Sequence, residues 1–245
     1  MKKNCIAFLL TFISISLQAQ VSISGPTCGV SGNTSNYNAI RSSGNFVGVT
    51  NMQWCITGGV ILQAYGQNVT GSTTCKTGTN VYSIVVQWNS VGTRTVSLTT
   101  PVGNAPNVIV NVVTALSPGT ISNTSNTVTY NNPPPTLTCS AATFGYCSPS
   151  YQYQWQSSAD NVNWTNISGA SAQNLSSAAA LIQTTYFRRQ VLEVNTTTYK
   201  YSNTATVFVN PPFSNPAIGP AQQDLFTDQA LTNISITTNV SGGSC

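Results

Sequence analysis

The sequence predicts an all-β protein built from tandem β-sandwich modules. Three observations carry this: short alternating runs of strand-forming residues, a composition almost free of charge, and an internal repeat with a period close to 97 residues. Charged residues make up 5% of the chain and apolar residues 40%. An ordinary soluble domain is about one-quarter charged. A disordered chain is charged and poor in apolar residues, so this balance reads instead as strands whose outer faces carry hydroxyls and amides. Thr, Val, Ile and Tyr supply the strands, and Asn, Gly, Pro and Ser the turns.

The chain opens with Lys2 and Lys3, then an uncharged apolar stretch from Ala7 to Leu17, then Ala19 and Gln20. This is the pattern of a secretory leader cleaved after Ala19 or Gln20. The stretch is too short for a transmembrane helix, which needs about 20 apolar residues. Residues 1–20 are therefore expected to be a signal peptide, with Cys5 leaving alongside it. No later run is long enough to span a membrane as a helix, so no membrane span is expected in the mature chain. The formal charge of +4 loses Lys2 and Lys3 on cleavage and becomes +2. The remaining cations, Arg41, Lys76, Arg94, Arg188, Arg189 and Lys200, are too few and too scattered for a nucleic-acid partner.

Strand periodicity follows in order. Val81–Trp88, Thr95–Thr99, Val108–Val113, Tyr151–Gln156 and Ala205–Val209 are strand-like runs bounded by Gly, Asn or Pro. Asn174–Gln183 tolerates a helix but sits between strand signals, and reads as a loop with a strand. The repeat sets the domain map. Ile121 and Ile218 lie 97 residues apart, Cys147 and Cys245 98, Trp54 and Trp155 101, and Val113 and Val209 96. A period of this size matches one immunoglobulin-like sandwich of about 100 residues. The expected modules are 21–115 and 116–212, with 213–245 as the truncated start of a third.

Six cysteines follow the leader: Cys28, Cys55, Cys75, Cys139, Cys147 and Cys245. In an exported chain without histidine they point to disulfides rather than a zinc site. Cys139 and Cys147 flank a Gly-containing turn and are candidates to staple a hairpin. Cys28, Cys55 and Cys75 form an odd trio, leaving one free or paired outside its module.

The second module carries Tyr153-Gln154-Trp155-Gln156-Ser157-Ser158, then Asn163-Trp164-Thr165-Asn166-Ile167-Ser168-Gly169-Ala170. Gln183-Thr184-Thr185-Tyr186-Phe187-Arg188-Arg189 and Tyr201-Ser202-Asn203-Thr204-Ala205-Thr206-Val207 follow. In order and spacing these resemble the immunoglobulin-like repeat of large secreted surface proteins of Bacteroidota, of the adhesin or gliding-motility-associated type. The first module, through Ile23-Ser24-Gly25-Pro26, Trp54-Cys55-Ile56-Thr57-Gly58-Gly59, Val86–Gly92 and Arg94–Leu98, is similar to their PKD-like modules. The resemblance implies a sandwich with a core tryptophan on its third strand, a role that Trp54 and Trp155 fit. Trp88 and Tyr186 complete the expected core, Tyr186 through a corner hydrogen bond at the start of a late strand.

Catalysis is not expected. Without histidine, Ser-His and Cys-His arrangements are absent. Asp160 sits in a turn sequence, where Asp serves local hydrogen bonding. Asp160, Asn161 and Asn163 lack the carboxylates a calcium site uses, so no metal or cofactor is expected. Glycan binding is the rival reading: Tyr151, Tyr153 and Trp164 surround one hairpin and would form a sugar platform if that face pointed outward. Arg188-Arg189 reads as edge protection or an exposed face. The expected function is that of a non-enzymatic extracellular or cell-surface stalk or adhesion segment, partnered by other surface proteins or glycans. The alternatives are a glycan-binding module, or the leader region of a longer secreted enzyme or RHS-type toxin.

Overall fold

A computed structural model describes residues 20–212, together with 218–219, 233 and 235–236. The leader and most of the expected third module fall outside the described residues. The chain divides into two compact units, Met1–Thr114 and Ala115–Cys245.

The first unit runs β1 (Val21–Ser24), β2 (Cys28–Val30), β3 (Thr34–Arg41), β4 (Met52–Ile56) and β5 (Gly59–Ala64). It continues with β6 (Gln67–Asn68), β7 (Cys75–Gly78), β8 (Ser83–Trp88), β9 (Gly92–Thr99) and β10 (Val108–Val113). These form two sheets, ordered β1-β3-β8-β5-β6 and β2-β10-β9-β4-β7. All pairs are antiparallel except β2 with β10. The two-residue period of a strand decides which side chains meet between the sheets. On β8, Ile84, Val86 and Trp88 point inward; on β4, Met52, Trp54 and Ile56 do.

Trp54 and Trp88 are fully buried. Each keeps its indole N–H satisfied, Trp54 donating to the Val81 carbonyl at 2.6 Å and Trp88 to Ser35 Oγ at 3.0 Å. Burying a side chain of this size contributes about 3 kcal/mol only if its polar atom is not orphaned. Gly29 is needed for the same packing, since a Cβ there would lie 2.7 Å from the Trp88 indole nitrogen.

The second unit holds β11 (Ser125–Thr129), β12 (Tyr151–Ser158), β13 (Thr165–Asn166), β14 (Thr185–Glu193), β15 (Thr198–Tyr201) and β16 (Ala205–Asn210). One sheet runs β11-β16-β14-β12-β13, with β15 also on β14. The facing layer is held by single antiparallel bridges, Ser117 to Thr143, Ile121 to Cys139, Asn132 to Leu181 and Leu137 to Leu175. Between them lie Ile121, Leu137, Cys139, Trp155, Leu175, Phe187 and Val207. Trp155 is fully buried and donates to the Ala172 carbonyl at 3.0 Å. Asn174–Gln183, which tolerates a helix in sequence, contributes Leu175 and Leu181 to these bridges and forms no helix. Both units are thus all-β sandwiches of the immunoglobulin-like class. Beyond them, β17 (Ile218–Gly219) pairs antiparallel with β18 (Ser235–Ile236).

Candidate interaction face

The second unit carries the more informative side chains, and β14 sorts them. Along this strand Phe187, Arg189, Val191 and Glu193 point inward and Tyr186, Arg188, Gln190 and Leu192 outward. Tyr186 is therefore half-buried on the outer side and not part of the core; Phe187 takes the inward place one residue later. The Arg188-Arg189 pair is not edge protection. β14 lies inside the sheet, with β12 on one side and β15 and β16 on the other.

Arg189 is fully buried. Its guanidinium donates to three loop carbonyls: Gln173 at 2.6 Å, Pro118 at 2.6 Å and Ser140 at 2.7 Å. It also lies 4.2 Å over the Tyr153 ring. Gly119 makes room for this, because a Cβ there would meet the Ser140 oxygen at 2.2 Å and Arg189 Nη2 at 2.8 Å. The charge therefore gathers three separate loops onto one strand, and the aromatic face replaces part of the lost hydration.

Cys139 is a free, buried thiol, so the expected staple to Cys147 does not form, and Cys147 is disulfide-bonded elsewhere. The reason is direction. Cys139 bridges to Ile121, its amide is held by Asn174 Oδ1 at 3.0 Å, and its side chain enters the core beside Leu137 and Trp155. Burial pushes the thiol pKa up more than the nearby Arg189 charge lowers it, which leaves a protonated, packing cysteine rather than a nucleophile. In the first unit Cys55 pairs with Cys75 across β4 and β7.

The two carboxylates described in this unit serve their own loops. Asp160 accepts from the Val162 and Asn163 amides at 2.9 and 2.7 Å, from the Asn163 side chain at 2.6 Å and from Ser158 Oγ at 2.8 Å. The Asn163 and Val162 amides, with the two side chains, hold it well below the usual carboxylate range. Glu193 is fully buried. It accepts from the Ser150 and Thr196 amides, the Thr196 hydroxyl and the Asn195 side chain at 2.7 to 3.1 Å. Burial alone would raise its pKa, but these donors outweigh it and bring it down to about 2.

The aromatic platform expected from Tyr151, Tyr153 and Trp164 is split between two faces. Tyr151 and Tyr153 share the inward side of β12 with Trp155 and pack against Leu116, Ala142 and Val191. The Tyr151 hydroxyl donates to the Phe144 carbonyl at 2.7 Å, and that of Tyr153 accepts from the Ala142 amide at 3.3 Å. Trp164 alone belongs to the outer side, where its ring meets Arg188.

That outer cluster was not visible in sequence. Arg188 lies 4.1 Å from the Trp164 ring centre and 4.0 Å from that of Tyr201. Its Nε donates to Gln156 Oε1 at 2.8 Å, and Gln156 in turn donates to Asn166 Oδ1 at 2.9 Å. Gln190 donates to the Tyr201 hydroxyl at 3.1 Å. Residues from β12, β13, β14, β15 and the β12–β13 loop thus hold one cation against two rings. Only the pairing register brings Gln156 opposite Arg188 and Tyr201 opposite Gln190.

A family profile described as a domain of unknown function (DUF8696) matches residues 117–211, within the second unit. No curated protein matches the chain. Among solved structures, the chain is similar to the C-terminal 282-residue fragment of intimin in complex with the intimin-binding domain of the translocated intimin receptor. That likeness has 16% identity and a TM-score of 0.41, and covers 79% of this chain and 64% of that one. It is also similar to immunoglobulin domains 1–5 of Sidekick-1, at 12% identity and a TM-score of 0.28, covering 82% of this chain and 42% of that one. The chain therefore spans less than two thirds of either structure.

Proposed function

We propose that the protein is a non-catalytic extracellular module array, a stalk or adhesion segment that spaces and presents interaction surfaces outside the cell. The observation that carries this reading is how the ionisable side chains of the second unit are used. Arg189, Asp160 and Glu193 all hold their own loops, which leaves chemistry suited to holding shape rather than to turnover. The Cys55–Cys75 disulfide supports an oxidising compartment, in keeping with the leader-like N-terminus.

In this reading the modules are 21–115 and 116–212, and a further copy of the second begins near residue 213. The short ladder past residue 212 supports that copy. Ile218 pairs with Ile236, and both positions are 97 residues beyond Ile121 and Cys139, which pair with each other in the second unit.

The test is protease treatment of intact producing cells, with immunodetection of the chain in cells and medium. The expected result is a processed chain starting at Gln20 or Val21, found in the medium or digested from the cell surface. A chain retained inside the cell, unprocessed and with Cys55 and Cys75 reduced, would refute the reading.

A further inference from the structure

We infer that the Trp164–Arg188–Tyr201 cluster is a binding site for the carboxylate of an acidic saccharide, a chain bearing uronic acids. The inference deepens the extracellular reading above, which it assumes.

The first ground is an unspent cation. Arg188 gives its Nε to Gln156, and among the described residues its two terminal nitrogens have no protein acceptor. They are not buried either: among the described residues of this unit, the buried side-chain atom left without a partner is Arg189 Nε. The two carboxylates described in the unit are committed elsewhere, Asp160 to its turn and Glu193 to the buried β14–β15 corner. The charge on this face is therefore uncompensated, and the free edge of a guanidinium is the edge that takes a carboxylate through two parallel bonds.

The second ground is preorganisation. Two ring contacts near 4 Å and the bond to Gln156 restrain the guanidinium, so less rotamer entropy remains to be lost on binding.

The third ground concerns what the carboxylate is attached to. Tyr201 is 43% exposed and Tyr199, two residues earlier on β15 and so on the same face, is 54% exposed. Two ring surfaces about 7 Å apart along the strand offer stacking partners for successive sugar rings. Gln190 beside them offers an amide for hydroxyl groups. A ligand with a carboxylate, ring faces and many hydroxyls fits this set; an apolar partner does not.

The experiment is a 1H–15N NMR titration of the mature full chain with a mannuronate tetramer, following the Trp164 indole and Arg188 Nε–H signals. The parallel probes are cellotetraose, tetraglutamate and sodium acetate. The expected result is saturable shifts of both signals with the uronate tetramer only; in Arg188→Gln, followed by the Trp164 indole, binding should be about tenfold weaker because the paired charge-assisted bonds are gone. Arg188→Lys should recover only part of the loss, because it keeps the charge without the fork. If Arg188→Gln lowers the melting temperature, Trp164→Phe in the loop serves instead, followed by the Arg188 Nε–H signal, with the same direction expected.

No shift with the tetramer would overturn the proposal. Equal response to cellotetraose would remove the carboxylate from the recognition, and equal response to tetraglutamate would make the partner a protein. Equal response to acetate would mean an adventitious ion only. Because binding is measured on purified protein, its failure leaves the cell-surface test above untouched, and the reverse also holds.

Discussion

Arg189 shows how much one side chain carries. Its three carbonyl acceptors lie on loops around Pro118, Ser140 and Gln173. Removing the donor leaves buried acceptors without a partner, which costs more than the net value of the bonds. Arg189→Lys cannot reach all three in plane, so the second unit should lose about 3 kcal/mol or more, read as a drop in its urea midpoint by circular dichroism. Glu193 gives a pH signature. Its folded pKa of about 2 lies below its ordinary 4.5. The stability it contributes is therefore complete above pH 4.5 and is lost as pH falls through about 2. Urea titrations of the second unit from pH 6 to pH 2 should show this decline, and Glu193→Gln should be less stable at pH 6 with a flatter acid limb. An unchanged acid limb would mean that Glu193 is not held by its donors.

At the scale of elements, the disulfide joins neighbouring strands β4 and β7 at directly paired positions. It closes a loop of 20 residues, and closing such a loop restricts the unfolded chain by about 3 kcal/mol. Replacing both Cys55 and Cys75 with Ser should lower the stability of the first unit by about that amount and leave the second unit's calorimetric transition in place. Much of the strand content was legible in sequence. The run at Val81–Trp88 becomes β8 and that at Tyr151–Gln156 becomes β12, with the inward residues on the alternating positions. Alternation does not say which of its two faces points inward, and so the Tyr151 and Tyr153 rings were candidates for a platform until the facing layer was seen to cover them.

For the whole molecule, each unit buries its own tryptophans and its own apolar cluster. Residues 20–114 and 115–212, produced separately with Cys28 and Cys147 replaced by Ser, should therefore each give a dispersed amide spectrum and a cooperative thermal transition. Aggregation of either piece alone would show that its core is incomplete. The DUF8696 match ends at residue 211, yet Ile218 and Ile236 pair with each other, at positions 97 residues beyond the paired Ile121 and Cys139. Adding residues from 213 onward should accordingly bring new strand signal without altering the 115–212 spectrum.

The amino-acid order alone indicated the β class and the burial of Trp54, Trp88 and Trp155. These follow from local alternation, turn chemistry and the large apolar area of an indole, all of which act over a few residues. Tertiary structure decided the fates of Arg188, Arg189 and Cys139. Two adjacent arginines look alike in sequence, but the pleat sends one into the core and the other to the outer face. What each then meets, loop carbonyls for Arg189 and the rings of Trp164 and Tyr201 for Arg188, is set by strand register between segments distant in the chain. Cysteine pairing has the same origin: Cys139 stays unpaired because its side chain points into the core, a direction that spacing along the chain does not encode.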